Sequence, residues 1–234
     1  MDYPLIADEF ALLDRLLPKP CTRVIELGCG AAGMAQRLLQ VHPAMHYLGL
    51  EVDTVQMRHN LRQVPERMRF IEAGAQAIPE AAAQFDLALM LKSLHHVPIA
   101  FMDQALAEVA RVLRPGGHLY VSEPVYDGAF NEVIKVYNDE GLVRAAAQTA
   151  LDRALAQQPS CWQQVAEEWF ATPVRFADFA DFEKRMMHPS FADHHVDQDL
   201  RARTLAVFAP HCTPVGAPFE RPMHVRLLRR VAVG

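Results

Sequence analysis

Between Leu5 and Leu17 the apolar side chains recur at helical spacing, with Leu5, Leu12, Leu13, Leu16 and Leu17 on one stripe, and Pro18 and Pro20 close the run. The spacing predicts an amphipathic helix over 5–17. Beyond it the chain alternates between short apolar runs and longer mixed ones. Strands are expected over 23–27, 45–51, 68–72, 85–91 and 118–122, and helices over 34–41, 54–63 and 99–113, with the turn RPGG at 114–117 leading into the fifth strand. VIEL and DLALML are nearly continuous apolar runs, as strands of a parallel sheet covered on both faces require. The first half therefore reads as an α/β fold of five strand–helix units.

The texture changes after Glu123. Residues 130–157 are rich in Ala, Gln and charge and read as helix, and 161–170, carrying Trp162 and Trp169, reads as a second helical stretch. A short strand is expected over 182–187, a helix over 197–208 and a final strand over 223–233. This divides one folded domain into a sheet core over 1–125, a helical addition over 126–180 and closing strands over 181–234. No internal repeat or low-complexity segment interrupts it.

Composition narrows the functional classes. The 234 residues are 51% hydrophobic, and 23 Lys+Arg stand against 28 Asp+Glu, without the basic excess that binding to a phosphate backbone requires. No nucleic-acid partner is expected. Asp2, Asp8 and Glu9 occupy the place where a secretory signal carries basic residues, and the apolar runs are too short to span a bilayer. Cys21, Cys29, Cys161 and Cys212 form no CxxC pair, which argues against a zinc knuckle or disulfide framework. A cytoplasmic protein without membrane partners is expected; its oligomeric state is not legible.

The chemistry concentrates at VIELGCGAAGMAQRL, residues 24–38. Gly28, Gly30 and Gly33 fit a GxGxxG turn, where glycine permits positive φ and a helix N-terminus approaches a ligand. Glu51 ends the next strand eighteen residues after Gly33, and its two oxygens suit a ribose diol. A nicotinamide dinucleotide and an adenosyl group satisfy this pair equally, and a tight turn without any ligand also produces the glycines.

Further motifs separate these readings: Glu26 two residues ahead of Gly28, SLHHVP after the fourth strand, and RVLRPGGHLYVSEP entering the fifth. With them, residues 21–125 resemble the class I S-adenosylmethionine-dependent methyltransferases. The resemblance implies a Rossmann-like, doubly wound α/β fold with a mostly parallel seven-stranded sheet, an antiparallel last strand and an added helical lid over 126–180. FEKRMM and HVRLLRRVAV are the expected source of the antiparallel pair. It implies that Glu26 and the backbone of Gly28, Cys29 and Gly30 face the methionine part of the cofactor. Glu51, with Val52 beside it, would hold the ribose, and Gly74, Ala75 and Gln76 would flank adenine. Leu91 and Lys92 would pass the methionine end, with Ser93 after them. Two departures stand out: AGA replaces the GDA common at the adenine turn, and Ala32 takes the place of a third glycine, leaving Gly33 as an offset substitute.

His95 and His96 lie in the turn after the fourth strand and are the candidate proton acceptors, since a histidine near its ordinary pKa takes a proton at neutral pH; packing is the alternative role. His188, His194, His195 and His211, with Asp193 and Asp197, lack a helix-spaced pair and are expected as a polar loop, so no metal site is assigned. Trp162, Trp169, Phe170, Phe176, Phe179 and Phe182 are either core or the wall of an acceptor pocket. Methyl transfer from S-adenosylmethionine to an O, N or C atom of a small organic molecule is the leading expectation. The alternatives are an NAD-dependent oxidoreductase, a non-catalytic protein that binds the adenosyl cofactor, and a partner-binding module using the Trp-bearing segment.

Overall fold

The computed structural model describes residues 3–17, 19–190 and 194–232. Pro18, Asp193 and Val233, named above at element ends or in the histidine-rich stretch, lie outside these residues. In chain order the elements are α1 (Glu9–Leu16), β1 (Arg23–Leu27), α2 (Gly33–Val41), β2 (His46–Glu51), α3 (Thr54–Arg62), β3 (Met68–Glu72), β4 (Phe85–Leu91), α4 (Met102–Val112) and β5 (Leu113–Pro124). There follow α5 (Gly128–Ile134), α6 (Gly141–Ala156), β6 (Trp162–Phe176), α7 (Phe179–Phe182), α8 (Gln198–Phe208) and β7 (Ala217–Arg230).

The strands form one sheet in the order β3-β2-β1-β4-β5-β7-β6, parallel from β3 to β5, with β7 antiparallel to both β5 and β6. This is the doubly wound fold with seven strands that the resemblance implies. The chain leaves β1 toward β2 and returns to β4 on the other side, so the crevice between the carboxyl ends of β1 and β4 is the switch point where such sheets place their ligands. Two cores cover the faces. Val109, Val112, Ala147 and Leu151 of α4 and α6 pack on one, and Leu12, Leu13, Ala35 and Leu38 of α1 and α2 on the other. The apolar runs of β1 and β4 are buried along almost their whole length because each face meets one of these layers.

Three expectations about the second half are corrected. The stretch 161–170 is not a helix but the start of the fifteen-residue strand β6. Its Ala, Gln and Glu favour helix weakly, but fourteen register partners on β7 outweigh a propensity worth tenths of a kcal/mol per residue. The stretch 182–187 is not a strand: Asp178 caps α7 by accepting from Asp181 N at 2.9 Å, and a π turn, Glu183–Met187, carries the helix onward. The antiparallel pair is therefore β6 with β7, not FEKRMM with HVRLLRRVAV. β7 also begins six residues earlier than expected, at Ala217.

The chain's first turn departs in a smaller way. α1 starts at Glu9, where the Asp8 carboxylate accepts from Phe10 N at 3.0 Å, and the residues before it pair with the sheet's edge. Ile6 N donates to Ala171 O and Ala171 N to Pro4 O, each at 2.9 Å, covering part of an otherwise open strand. The helix 99–113 begins as a short 3₁₀ turn, and β5 takes in the RPGG residues.

The aromatic residues named above do not form one wall. Phe176, Phe179 and Phe182 join Phe130, Phe208 and Phe219 in a third, buried core beyond the carboxyl end of β5, with ring centroids 5.1–6.3 Å apart. Trp162 and Phe170 belong to the two sheet cores. Trp169 is half-exposed on β6 and stacks on His224 at 3.7 Å. No helix among the described residues is long and apolar enough to cross a membrane.

Candidate functional site

β1 delivers the chain into the glycine turn with Gly28 at φ 71° and Gly30 at φ 51°, both left-handed. At Gly28 glycine is required twice over, because an added Cβ would stand 2.7 Å from the Ser93 Cβ on the neighbouring β4 turn. Ser93 in turn donates its hydroxyl to Leu27 O at 2.6 Å, joining the two sides of the switch point. Ala32 itself holds the left-handed position before α2, at φ 53°, and Gly33 is the first helical residue with open space around it. Gly33 is thus no offset substitute. Alanine occupies the third position at a strain of about 1–2 kcal/mol.

The turn's amides are already spoken for. Gly28 N and Cys29 N donate to Leu50 O at 2.9 and 3.0 Å, and Gly30 N donates to Glu51 Oε2 at 2.7 Å. Glu51 also accepts Val52 N and Asp53 N, at 2.8 and 2.9 Å, so its carboxylate ties the first loop to the second. A pyrophosphate loop needs converging free amides and no acid. Here the amides are engaged and two carboxylates face the ligand end.

Glu26 is the second of these. It is buried on β1, and Tyr47 on β2 donates its hydroxyl to Oε2 at 2.5 Å. Burial pushes its pKa up to about 7, against the opposing pull of the Tyr47 hydrogen bond and the Lys92 charge. Lys92, at φ 58°, places its ammonium 3.8 Å from Glu9 Oε2 on α1, while Glu9 Oε1 accepts from Tyr120 at 3.2 Å. Leu91, half-buried, precedes it. Across the cleft Val52 stands exposed, Ala75 is buried, and Gln76 O accepts from Gln104 at 2.9 Å. Gly74 has the Gln76 amide where a side chain would go. The structure thus brings Glu26, Gly28, Cys29, Gly30, Glu51, Val52, Gly74, Ala75, Gln76, Leu91 and Lys92 to one end of the sheet.

The two histidines separate into different environments. His95 is buried, with Nδ1 bonded to Glu123 of β5 and Nε2 3.9 Å from Glu140. Glu123 also accepts Leu94 N at 2.8 Å, and Glu140 is paired with Arg144 at 2.5 Å. His96 lies exposed beside it, ring centroids 4.1 Å apart, and desolvation followed by the His95 charge lowers its pKa below the usual histidine value. Of the pair, only His96 reaches solvent. Among the described residues His95, His96 and Glu140 are the one group whose ligand atoms lie within 4.8 Å of one another, and Glu123 and Arg144 already supply its counter-charges. The histidines 188, 194, 195 and 211 do not gather into such a group.

The residues that sequence reasoning missed, Glu9, Tyr47, Asn60, Glu123, Asn131, Glu140, Arg144 and Arg221, come from elements far apart in the chain. Asn60 on α3 donates to Gly30 O at 2.8 Å, holding the turn from behind. A broad surface cleft of about 470 Å³ by Arg23, His46, Arg67 and Arg69 lies at the opposite, amino-terminal end of the strands. Its arginines are engaged, Arg67 with the carbonyls of Leu39 and Pro43 and Arg69 with Glu80.

Residues 24–117, which supply most of the carboxyl-end site, match the family model for a methyltransferase domain. Over this segment the chain is similar to the class I S-adenosylmethionine-dependent methyltransferases, and it shares their fold. Among its methyltransferase relatives, the fatty-acid O-methyltransferase of Mycolicibacterium smegmatis is 36% identical over 112 residues, covering 45% of this chain and 39% of that protein. The demethylmenaquinone methyltransferase of Thermus thermophilus is 32% identical over 130 residues, covering 53% and 58%. The aligned segments thus span only about two fifths to three fifths of these relatives. The crystal structure of YcgJ from Bacillus subtilis superposes over 96% of this chain and 99% of its own, with TM-score 0.65 and 15% identity. The cyclase SpnF does so over 96% and 80%, with TM-score 0.57 and 19% identity. At such identities the methyltransferase fold is shared and the reaction is not implied.

Proposed function

We propose that this chain transfers a methyl group from S-adenosylmethionine to a nucleophilic O, N or C atom of a small organic acceptor. The observation that carries this reading is the acidic, amide-satisfied glycine turn: Glu26 and Glu51 face the ligand end while the amides of residues 28–30 are bonded within the protein. That arrangement repels a pyrophosphate and suits a nucleoside bearing an ammonium and a sulfonium, which disfavours the NAD-dependent alternative. Relatives named as O-methyltransferases favour oxygen as the accepting atom.

When bound, S-adenosylmethionine supplies an electrophilic methyl on a sulfonium. The chain's own residues position and deprotonate. Glu26 attracts the methionine ammonium, and Glu51 accepts a ribose hydroxyl through the remaining capacity of Oε2. Val52, Gly74, Ala75 and Gln76 flank the base, and the turn Gly28–Gly30 with Leu91 and Lys92 lines the methionine end. His96 takes the proton from the acceptor, while His95, locked between Glu123 and Glu140, fixes the turn that presents it. α5 and the first turn of α6 cover the acceptor side, a lid narrower than 126–180 because β6 belongs to the sheet. Alignment of nucleophile and methyl with water excluded accounts for roughly 7–11 kcal/mol of barrier lowering in such reactions.

Titration calorimetry with S-adenosylhomocysteine and with NAD tests this. Binding of the first and not the second is expected; the reverse overturns the reading. Tight binding without transfer of labelled methyl to any of a panel of small hydroxylated acceptors would instead make the chain a cofactor-binding protein.

A further inference from the structure

Arg221 lies on β7 opposite Thr172 of β6, where the sheet reaches the third core. Its guanidinium carbon sits 4.8 Å above the Phe130 ring, and the side chain is half-buried. It makes no hydrogen bond or ion pair with any described residue. The acids that face it are committed elsewhere: Glu140 to Arg144 at 2.5 Å, and Glu9 to Tyr120 at 3.2 Å and Lys92 at 3.8 Å. Arg144 and Tyr137 complete its charged and titratable surroundings. A guanidinium held partly out of water without a carboxylate is costly to leave so. Its pKa is lowered, first by burial and then by Arg144, as expected of a cation lacking its counter-ion.

A second orphan lines the same pocket. Asn131 on α5 accepts Arg144 Nη1 at 3.0 Å through Oδ1. Since a guanidinium only donates, this bond settles which end of the amide is oxygen. The other end, Nδ2, is buried with no partner. Arg221, Asn131, Arg144, Phe130 and Pro222 line a narrow pocket beyond the carboxyl end of β5, and its one lining acid, Asp127, is engaged with Gly128 N at 2.8 Å. Side chains that carry unused donors on two elements, one of them cationic, line this small pocket of about 10 Å³ next to a buried aromatic ring.

We propose that Arg221 and Asn131 form a carboxylate-binding subsite that anchors the methyl acceptor. The inference rests on the methyltransferase reading and names the acceptor class as a small carboxylic acid with an apolar body. Arg221 offers a planar pair of donors that matches a carboxylate, and Asn131 Nδ2 adds a third hydrogen bond. A carboxylate so held is a poorer nucleophile, so the methylated atom is a different one. A phosphate dianion would need more donors than these two side chains provide.

The probes are octanoate, octan-1-ol and octyl phosphate, titrated calorimetrically into the protein saturated with S-adenosylhomocysteine. Octanoate is expected to bind at least tenfold tighter than octan-1-ol. Arg221→Met, which retains the packing on Phe130, should erase that preference and leave the affinities for octan-1-ol and S-adenosylhomocysteine unchanged. Asn131→Asp supplies Arg221 with an internal carboxylate; it should also erase the preference while raising the melting temperature, and it serves if Arg221→Met fails to fold. Equal binding of octanoate and octan-1-ol by the natural chain, an unchanged preference in Arg221→Met, or tighter binding of octyl phosphate than of octanoate overturns the proposal. If S-adenosylhomocysteine does not bind but octanoate discrimination persists without it, methyl transfer fails and the subsite stands. Cofactor binding without discrimination sinks the subsite alone.

Discussion

The half of the cleft proposed for the cofactor and the half proposed for the acceptor are built differently. In the first, polar groups are satisfied by neighbours from adjacent strands: Gly28 and Cys29 by Leu50, Gly30 by Glu51, Glu26 by Tyr47. In the second, Glu123, Arg144, Asn131 and Arg221 come from β5, α6, α5 and β7, Glu140 immediately precedes α6, and two of their donor groups stand unused. On the proposed reading, the first half is preorganised for one ligand and the second holds charge in reserve for another. A rigid cofactor seat beside a variable acceptor seat is how one sheet serves many substrates.

The sharpest way to break this contrast is Gly28→Val. A turn at the rim of the sheet would tolerate the change, but β1 is central and the new Cβ would press on Ser93 at 2.7 Å with φ at 71°. We expect loss of cofactor binding together with a drop in melting temperature of roughly 10 °C, from about 3 kcal/mol of strain and clash. Gly30→Val carries the strain of φ 51° but meets open space and no clash, so it should weaken binding with a smaller thermal shift. Equal melting temperatures for the two variants would contradict the packing described for the turn.

Glu26 supplies the next largest effect. Its folded pKa, about 7, lies above the ordinary carboxyl value of 4.5, so the protonated form is favoured in the fold. The stability it contributes is complete below pH ~4.5 and is lost as pH rises through 7. Glu26→Gln, which keeps an acceptor for Tyr47, should therefore gain on the natural chain between pH 5 and 8, by up to about 3 kcal/mol in the absence of cofactor. S-adenosylhomocysteine, whose ammonium stabilises the ionised form, should bind the natural chain more tightly as pH rises across this range, and the variant should lose that trend. Parallel pH profiles for the two proteins would remove Glu26 from the methionine end.

What could be read from the sequence follows the same division. β1, β3 and β4 are expected with the bounds they have, because strands buried on both faces show as continuous apolar runs and their helices are punctuated by glycine or by a cap such as Asp53. The glycine turn and Glu51 are legible because they are local and regularly spaced. β6 was not: an edge strand has one partner, its WQQVAEEWF carries helix-favouring residues, and only β7, more than forty residues later, sets its conformation. Arg221 and Asn131 were invisible for the same reason, since nothing in their own neighbourhoods marks them, and their meaning comes from each other. His95 and His96 were seen as a pair, but their division into a buried and an exposed member depends on Glu123 and α6.

That division can be sharpened by mutation. His96→Gln should lower kcat about a hundredfold with little change in KM or in cofactor affinity, as loss of a general base does. His95→Gln should instead lower thermal stability, since Glu123 and Glu140 lose the imidazole held between them. Because desolvation depresses the His96 pKa, the natural rate should hold below pH 6.5 before falling as the ring is protonated. A rate unaffected by His96→Gln would leave the acceptor's proton to bulk water.

Glu51→Ala gives the smallest effect and tests the seat most directly. In the protein without ligand its carboxylate accepts Gly30 N, Val52 N and Asp53 N, and only Oε2 keeps capacity for a further hydrogen bond. If a ribose hydroxyl uses that capacity, the substitution removes a charge-assisted hydrogen bond of about 1.5–3 kcal/mol and also loosens the turn. S-adenosylhomocysteine should then bind at least roughly tenfold more weakly, since about 1.4 kcal/mol is one decade. The two contributions separate with 2′,3′-dideoxy-S-adenosylhomocysteine, which lacks the hydroxyls. Against that analogue the natural chain and Glu51→Ala should differ by less than the full factor, the remainder being the looseness of the turn. An undiminished difference would mean that Glu51 acts only by tying Gly30 to β2, and the ribose would have to be held from elsewhere.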